Sequence, residues 1–525
     1  MKANGYKLYL LLCFFILSSG LVLAQPLMVK ADPDVADKFF SNKNYKSALQ
    51  CYLMLLKKEP KNLDYNWKAA QCYMLSHSIK AKAIPLLEFV TKQPKFDNKA
   101  WFDLGRAYQY ANRFDDAIKA FNKYKETARK DEETDMYIQQ CQNGKVLVQK
   151  PLNVTFENLG KDVNTEFADF YPFVTEDDQT LYFTSRRKSP TAPEPEFDGL
   201  YPSDVFICTK KPDGKWSKAS SVGPMINTNL DEEVTDVTPD GNSVLFYIDH
   251  IDEFGDIWQS MKKNGKGQFQ KSFKLSDNVN DGLETSASLW VSPEGDSILY
   301  FASSRSGNFG ATDIYMCKKL PGNFGWGAPI NLGPKINTKY KEEFPHLSKD
   351  GKTLYFASQG HSSMGGFDIF KSVWDEGDQA WSEPRNLGYP INGPDDDMNI
   401  TFVNERVAYI SAMREEGMGD LDIYKITFDD IDGKETIYRG FVLAADSGDA
   451  KIKDATISVE NRKTKELVGT FIPDHNKGYY IMALPPGKYT VHIEAEGYLI
   501  YTEDINVFDI TGFKPDVVRD FRLKK

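Results

Sequence analysis

Six histidines are the first residues to weigh for proton transfer or metal binding: His77, His250, His346, His361, His475 and His492. None belongs to a His-Glu-x-x-His helix, the spacing that sets two imidazoles on one helical face around zinc. The stretch Gly360-His361-Ser362-Ser363-Met364 comes near a strained nucleophile turn but lacks glycine at its fifth place. No glycine-rich loop follows a strand and opens a helix, so phosphate or dinucleotide cradling is not expected. The cysteines Cys51, Cys72, Cys141, Cys208 and Cys317 are scattered, lack metal-ligand spacing and read as buried single thiols. No catalytic constellation, cofactor or metal is therefore expected, and the chain reads as a non-enzyme.

The residue type that does repeat is an aspartate followed by two strand formers: Asp204, Asp256, Asp313, Asp368 and Asp422. Such a carboxylate can accept hydrogen bonds from backbone amides of the loop before it and fix the turn into a strand. Copies spread round a ring cannot converge on one substrate atom, so the motif is read as structural. Arg187, Arg305 and Arg414 close the preceding strands. On a ring of sheets they lie along one rim, either as an interaction surface for carboxylates or as solvated charge.

These residues are positioned by a repeat. Leu181-Tyr182-Phe183-Thr184-Ser185, Leu299-Tyr300-Phe301-Ala302-Ser303 and Leu354-Tyr355-Phe356-Ala357-Ser358 each precede an aspartate motif, with looser copies at Val244–Tyr247 and Val407–Ser411. The aspartates step by 52, 57, 55 and 54 residues, a period that signals repetition of small sheets. Each unit also carries a connector ending in asparagine: Asn164, Asn227, Asn280, Asn337 and Asn392. Glycine there supplies the tight turn, and asparagine tolerates left-handed geometry. The first connector precedes the first aspartate motif, so strand 153–157 takes the place of an outermost strand whose inner partners come last in the chain. Joining the two gives five closed blades and removes the free edges. A sixth is left open by the insertion Ser189–Tyr201, which is read as a loop.

Around this centre lie three other regions. Lys2 and Lys7, the apolar run Leu8–Leu17 and Val22-Leu23-Ala24 form an export signal over residues 1–24, with Cys13 outside any lipoprotein-type context. From about 30 to 148 the pattern is helical, with Trp67 and Trp101, Pro60 and Pro94, and Ala83 and Ala117 each 34 residues apart. Gly105 and Ala117 permit close helix approach, while Trp101, Tyr108 and Phe121 fill the groove. Asp131–Cys141 is read as a closing helix and Gly144–Pro151 as a hinge. After the acidic stretch Asp429–Gly433, an alternating pattern with glycine turns runs from Tyr438 onward. The chain carries 64 basic and 75 acidic residues, a net charge of −11, which argues against nucleic acid as partner.

Each region resembles a known family. Residues 30–148 resemble tetratricopeptide repeats, which implies an α-helical solenoid used for protein docking or as a spacer. Residues 151–430 resemble the WD40-like (PD40) propeller repeats of TolB-type periplasmic proteins. Residues 436–525, through Leu484-Pro485-Pro486-Gly487-Lys488-Tyr489, resemble the carboxypeptidase regulatory-like domain, a transthyretin-like β-sandwich without peptidase chemistry. Their order is similar to the PorE-type periplasmic proteins of Bacteroidetes type IX secretion and gliding, minus the peptidoglycan-binding OmpA-like domain. The resemblance implies a non-enzymatic scaffold at the outer membrane, partnered by envelope proteins. The alternative is a protein binding glycan or peptidoglycan fragments through the propeller or the sandwich.

Overall fold

The computed structural model describes residues 28–525 except 77, 128–130, 250–254, 266, 293, 323–324, 376–378, 405, 430–435, 447, 463, 475, 486 and 508–515. The export signal, Cys13, His77, His250, His475 and most of the acidic stretch before Tyr438 lie outside the described residues. Two units emerge: residues 1–135 with 194–201, and residues 136–193 with 202–525.

Among its described residues the first unit holds six α-helices, α1 (Pro33–Ser41), α2 (Tyr45–Lys58), α3 (Leu63–Leu75), α4 (Ile84–Thr91), α5 (Lys99–Tyr110) and α6 (Phe114–Lys125). The start of α7 (Glu132–Leu147) also belongs to it. Polar caps set the helix starts: Asp32 accepts from the amides of Asp34 and Val35, Asn44 from Ser47 and Asn62 from Tyr65. Pro60 follows the end of α2 and Pro94 the end of α4. Successive helices pack on small residues. A methyl added at Gly105 would stand 2.6 Å from the Phe121 ring, and Ala117 and Phe121 are wholly buried. Trp101 meets Phe96 edge-on at 6.3 Å, and the Tyr108 hydroxyl donates to Glu88 at 2.7 Å. The loop 194–201, part of the insertion after the first repeat, counts with this unit.

The second unit begins inside α7. The segment expected as a hinge is helical as far as Leu147, and Asn143 donates to the Ser363 carbonyl at 2.8 Å. Five antiparallel sheets follow in a propeller-like ring. Their inner strands are Asp169–Val174, Asp231–Val237, Glu284–Val291, Glu342–Leu347 and Ile400–Asn404. In each sheet the chain runs outward to the strand carrying the repeated aspartate. The fifth sheet is completed from upstream: Val154–Asn158 pairs antiparallel with Asp422–Phe428, Phe156 opposite Ile426. The strands read as near-continuous apolar runs because both faces of each sheet are covered. Five cores lie between neighbouring sheets. Tyr182 and Phe246 share one, Ile257 and Phe301 the next, Ile314 and Phe356 a third, and Ile369 and Tyr424 a fourth. Tyr409 and Ile423 of the last sheet pack with Phe183 and Phe206 of the first, closing the ring.

Beyond it, two further sheets face each other across one core of Tyr438, Val442, Ile457, Tyr480, Tyr489, Val491 and Phe521. One centres on Thr436–Ala444, flanked by Tyr479–Leu484 and by two short parallel strands, Asp516–Val518 and Phe521–Leu523. The other has Thr456–Asn461 and Gly487–Glu494 at its centre.

Candidate functional site

The connector asparagines do something other than adopt left-handed backbone, which in these turns falls to Gly160, Gly223, Gly333 and Gly388. Each carboxamide docks on the backbone of the residue after a repeated aspartate, as a neighbouring strand would. Asn337 accepts from the Ile314 amide at 2.7 Å and donates to its carbonyl at 3.0 Å. Asn227 treats Val205 in the same way, Asn280 Ile257, Asn392 Ile369 and Asn164 Ile423. The repeated aspartates sit beside this contact. Asp313 accepts from the amides of Phe309 (2.8 Å) and Gly310 (3.1 Å), Asp368 from Met364 (3.0 Å) and Asp422 from Met418 (2.6 Å). Asp204 is held by the hydroxyls of Ser189 and Thr191, and Asp256 pairs with Lys274 at 2.6 Å. These groups are used within their own blades.

Two of the three arginines also turn inward. Arg305 is 8 % exposed and donates to Ser303, the carbonyls of Asn278 and Val279, and Glu284. Arg187 makes the equivalent bonds to Ser185, the Val163 carbonyl and Asp169, with its guanidinium over Phe183 and Phe206. Arg414 lies over the Phe156 ring at 4.1 Å and pairs with Glu416.

The side chains that converge are others, on the inner strands. Tyr171 and Phe344 come from the first and fourth blades, which are not neighbours, and their ring centroids are 4.4 Å apart. Both have positive φ, 52° and 48°, inside irregularities that break the register between Phe170 and Phe173 and between Glu343 and His346. An aromatic residue rarely adopts that backbone region, and a bulge there re-aims its side chain. The Tyr171 hydroxyl donates to Met398 Sδ at 3.4 Å. Burial pushes its pKa upward, and the carboxyls of Glu233, Glu343 and Asp396 add to the shift. Tyr171 thus touches side chains brought by the fourth and fifth blades.

Glu343 accepts from the hydroxyls of Thr285, Ser286 (3.2 Å) and Thr312 (3.0 Å) across the seam between third and fourth blades. Desolvation raises its pKa, and raises that of Glu233 to about 7. Further along the axis Asp236 accepts from the Leu289 amide at 2.7 Å, and burial lifts it to about 7. His346 Nδ1 stands 3.3 Å from Ser288 Oγ and 3.7 Å from Asp236. Burial depresses this imidazole to about 4, so it is neutral near pH 7 and its contact with Asp236 is no ion pair. A cavity of about 10 Å³, the room of one water, is lined by Phe173, Thr235, Phe344, His346, Met398 and Asn399.

Sequence reasoning missed this cluster, yet a signal existed. Adjacent glutamates stand at the start of the inner strands of the second and fourth blades, Glu232-Glu233 and Glu342-Glu343. In each pair the first glutamate is structural: Glu232 accepts from the Thr228 amide and Glu342 from the Thr338 amide, both at 2.8 Å. The second glutamate of each pair is the one whose carboxyl acts on Tyr171. Of the histidines, His346 lies on the axis, His361 bonds the Ile336 carbonyl at 2.9 Å, and His492 faces Thr502. No group of acids, histidines and cysteines fit for a metal occurs among the described residues. No helix there is long and apolar enough to cross a membrane.

No protein-family model matches the chain, and no curated protein does. Solved structures match about half of it. The endo-arabinase of Bacteroides thetaiotaomicron VPI-5482 is 12% identical, with 51% of this chain and 96% of that one covered and a TM-score of 0.35. A glycosyl hydrolase from Bacteroides ovatus is 11% identical, with 50% and 84% covered and a TM-score of 0.33. The α-L-arabinofuranosidase of Podospora anserina, solved with cellotriose, is 11% identical over 54% and 95%, with a TM-score of 0.31. These findings correct the expectation drawn from module order. The chain is mostly strand, with seven α-helices among the described residues, and several of the structures it matches are described as glycoside or glycosyl hydrolases. The PorE-like resemblance, the scaffold role in type IX secretion or gliding and the reading as a non-enzyme are withdrawn. At such identities the likeness concerns fold alone and brings no substrate or residue role with it.

Proposed function

We propose that this is a glycan-active protein whose saccharide sits at the mouth of the propeller-like ring, over Tyr171. The observation that carries the reading is the meeting of Tyr171 and Phe344 from non-neighbouring blades at 4.4 Å, with Glu343 beside Phe344 in the same register break. An aromatic ring offers an apolar face to the C–H side of a sugar, and carboxyls beside it accept from hydroxyls. Glu233, protonated up to about pH 7, can donate to a leaving oxygen, while Glu343, held by three hydroxyls, can serve as the paired carboxylate.

Finer readings go with this proposal. The helices form a tetratricopeptide-like solenoid over 30–148, the ring occupies 151–430 as five blades, and 436–525 is a carboxypeptidase regulatory-like sandwich. Export to the periplasm makes peptidoglycan fragments the first glycans to try. Calorimetry of the full chain with muropeptides and neutral oligosaccharides is the test. Heat with at least one saccharide, lost in Tyr171→Ala and Glu343→Gln, is expected, with reducing-end release abolished in Glu233→Gln. Binding without release would remove the acid and base roles. No heat from any saccharide at millimolar concentration would sink the reading.

A further inference from the structure

The meeting of Tyr171 and Phe344 depends on two residues in a backbone region that aromatic side chains seldom adopt. Such a conformation persists only where its surroundings hold it. In the fourth blade the holder is a hydroxyl from the third. Ser286, wholly buried on the inner strand Glu284–Val291, accepts from the Phe344 amide at 2.9 Å. The same oxygen donates to the Glu343 carboxyl at 3.2 Å. A hydroxyl has one proton to give and lone pairs to receive, so both bonds are made at once. One side chain thus fixes two neighbours, the ring and the acid that the glycan reading sets against the sugar.

A seam bond of this kind does not by itself bend the backbone. Between the first and second blades Thr184 Oγ1 accepts from the Val234 amide at 2.9 Å, and Val234 has no positive φ. What the third seam adds is a carboxyl on the same hydroxyl, and a hydroxyl that donates to a carboxylate is the better acceptor for it. Thr285 and Thr312 also donate to Glu343, but the Phe344 amide goes to Ser286. These donors and the Lys341 ammonium favour the charged carboxyl against its burial. Across the aromatic contact, Thr401 of the fifth blade donates to the Pro172 carbonyl at 2.7 Å, next to Tyr171. Ser286 therefore acts on carboxyl and ring, Thr285 on the carboxyl, and Thr401 on the backbone of the opposite ring.

We propose that Ser286 is a positioning residue of the saccharide site, setting Glu343 and Phe344 together, an inference that rests on the glycan reading. Two readouts need no sugar. Carboxyl carbon-13 NMR of the full chain labelled in glutamate follows Glu343, whose signal is the one lost in Glu343→Gln. Hydrogen exchange read by mass spectrometry follows the amides of 342–347. In Ser286→Ala the Glu343 midpoint should shift upward, since a donor to the carboxylate is gone. Exchange over 342–347 should quicken at least tenfold there, with the other inner strands unchanged. In Thr285→Val, which keeps the shape, only the midpoint should move, and in Thr401→Val neither should. Calorimetry with muropeptides and neutral oligosaccharides should show affinity weakened at least tenfold in Ser286→Ala and about threefold in each of the other two. An unmoved midpoint or unchanged exchange in Ser286→Ala overturns the proposal, as does a loss of affinity no greater than in Thr285→Val. If both sugar-free readouts behave as expected and no saccharide binds the native chain, the glycan reading fails while the bracing of Glu343 and Phe344 by Ser286 stands.

Discussion

A single carboxamide can stand in for a strand, and the buried asparagines carry a testable cost. In Asn337→Leu the Ile314 amide loses its acceptor in a place water does not reach, while the Ile314 carbonyl keeps the Leu332 amide at 3.1 Å. Leaving a buried backbone group unsatisfied costs about 1–3 kcal/mol. We expect a loss of about 2 kcal/mol from urea unfolding of Asn337→Leu, and a smaller loss in Asn337→Asp, which keeps the acceptor. Gly105→Ala tests the helical unit in the same way, since its methyl would press on Phe121 at 2.6 Å. Overpacking of that kind costs about 1–3 kcal/mol, read as a lowered midpoint of the helical signal. These residue roles were half legible. The spacing of asparagine and aspartate was plain in the chain, but the bond between them joins positions 23 residues apart (Ile314 to Asn337) and needs the third dimension. The inward turn of Arg187 and Arg305 was hidden for another reason. Strand-end arginines look alike in sequence whether they meet water or, as here, an acid that opens the inner strand.

At the scale of elements, the sheet period and the borrowed strand could be read because two independent markers were counted against each other. The contact of Tyr171 with Phe344 could not, since bulges at these residues change which way a side chain points without changing the alternation pattern. The α7 helix misled for a related reason: Gly144 reads as a break, yet the helix runs to Leu147. The closing strand makes a clear prediction. A chain starting at Leu152 keeps Val154–Asn158 against Asp422–Phe428, and a chain starting at Lys161 leaves that strand as an open edge. The second is expected to elute as aggregate or oligomer in size-exclusion chromatography while the first stays monodisperse. Equal behaviour of the two would mean that the ring does not depend on its seal.

Over the whole molecule, the repeat multiplies one electrostatic choice. Each blade buries acids near the entrance to its inner strand, and burial raises them: Glu232 to about 8, Glu342 and Asp368 to about 7, with Asp169, Glu284 and Asp397 also moved upward. Hydroxyl and amide donors pull the other way without overcoming desolvation. The sign follows from proton counting. A carboxyl whose folded pKa lies above its unfolded value of about 4 holds its proton longer in the folded state. Its contribution is complete below about pH 4 and is lost as pH rises through the folded value, so stability should fall between about pH 5 and 8. The exposed, cation-paired Asp32, Asp116 and Asp449 are lowered instead, and their opposite contribution is confined to more acid solution and weakened by solvent. Urea midpoints of the full chain measured from pH 5 to 8 should therefore decline. Glu232→Gln, which keeps the shape and removes the titration, should flatten the slope most between pH 7 and 8, because burial lifts Glu232 to about 8. A midpoint that rises over this range, or a slope untouched in Glu232→Gln, would show that the buried acids are ionised in the folded ring and held by their donors after all.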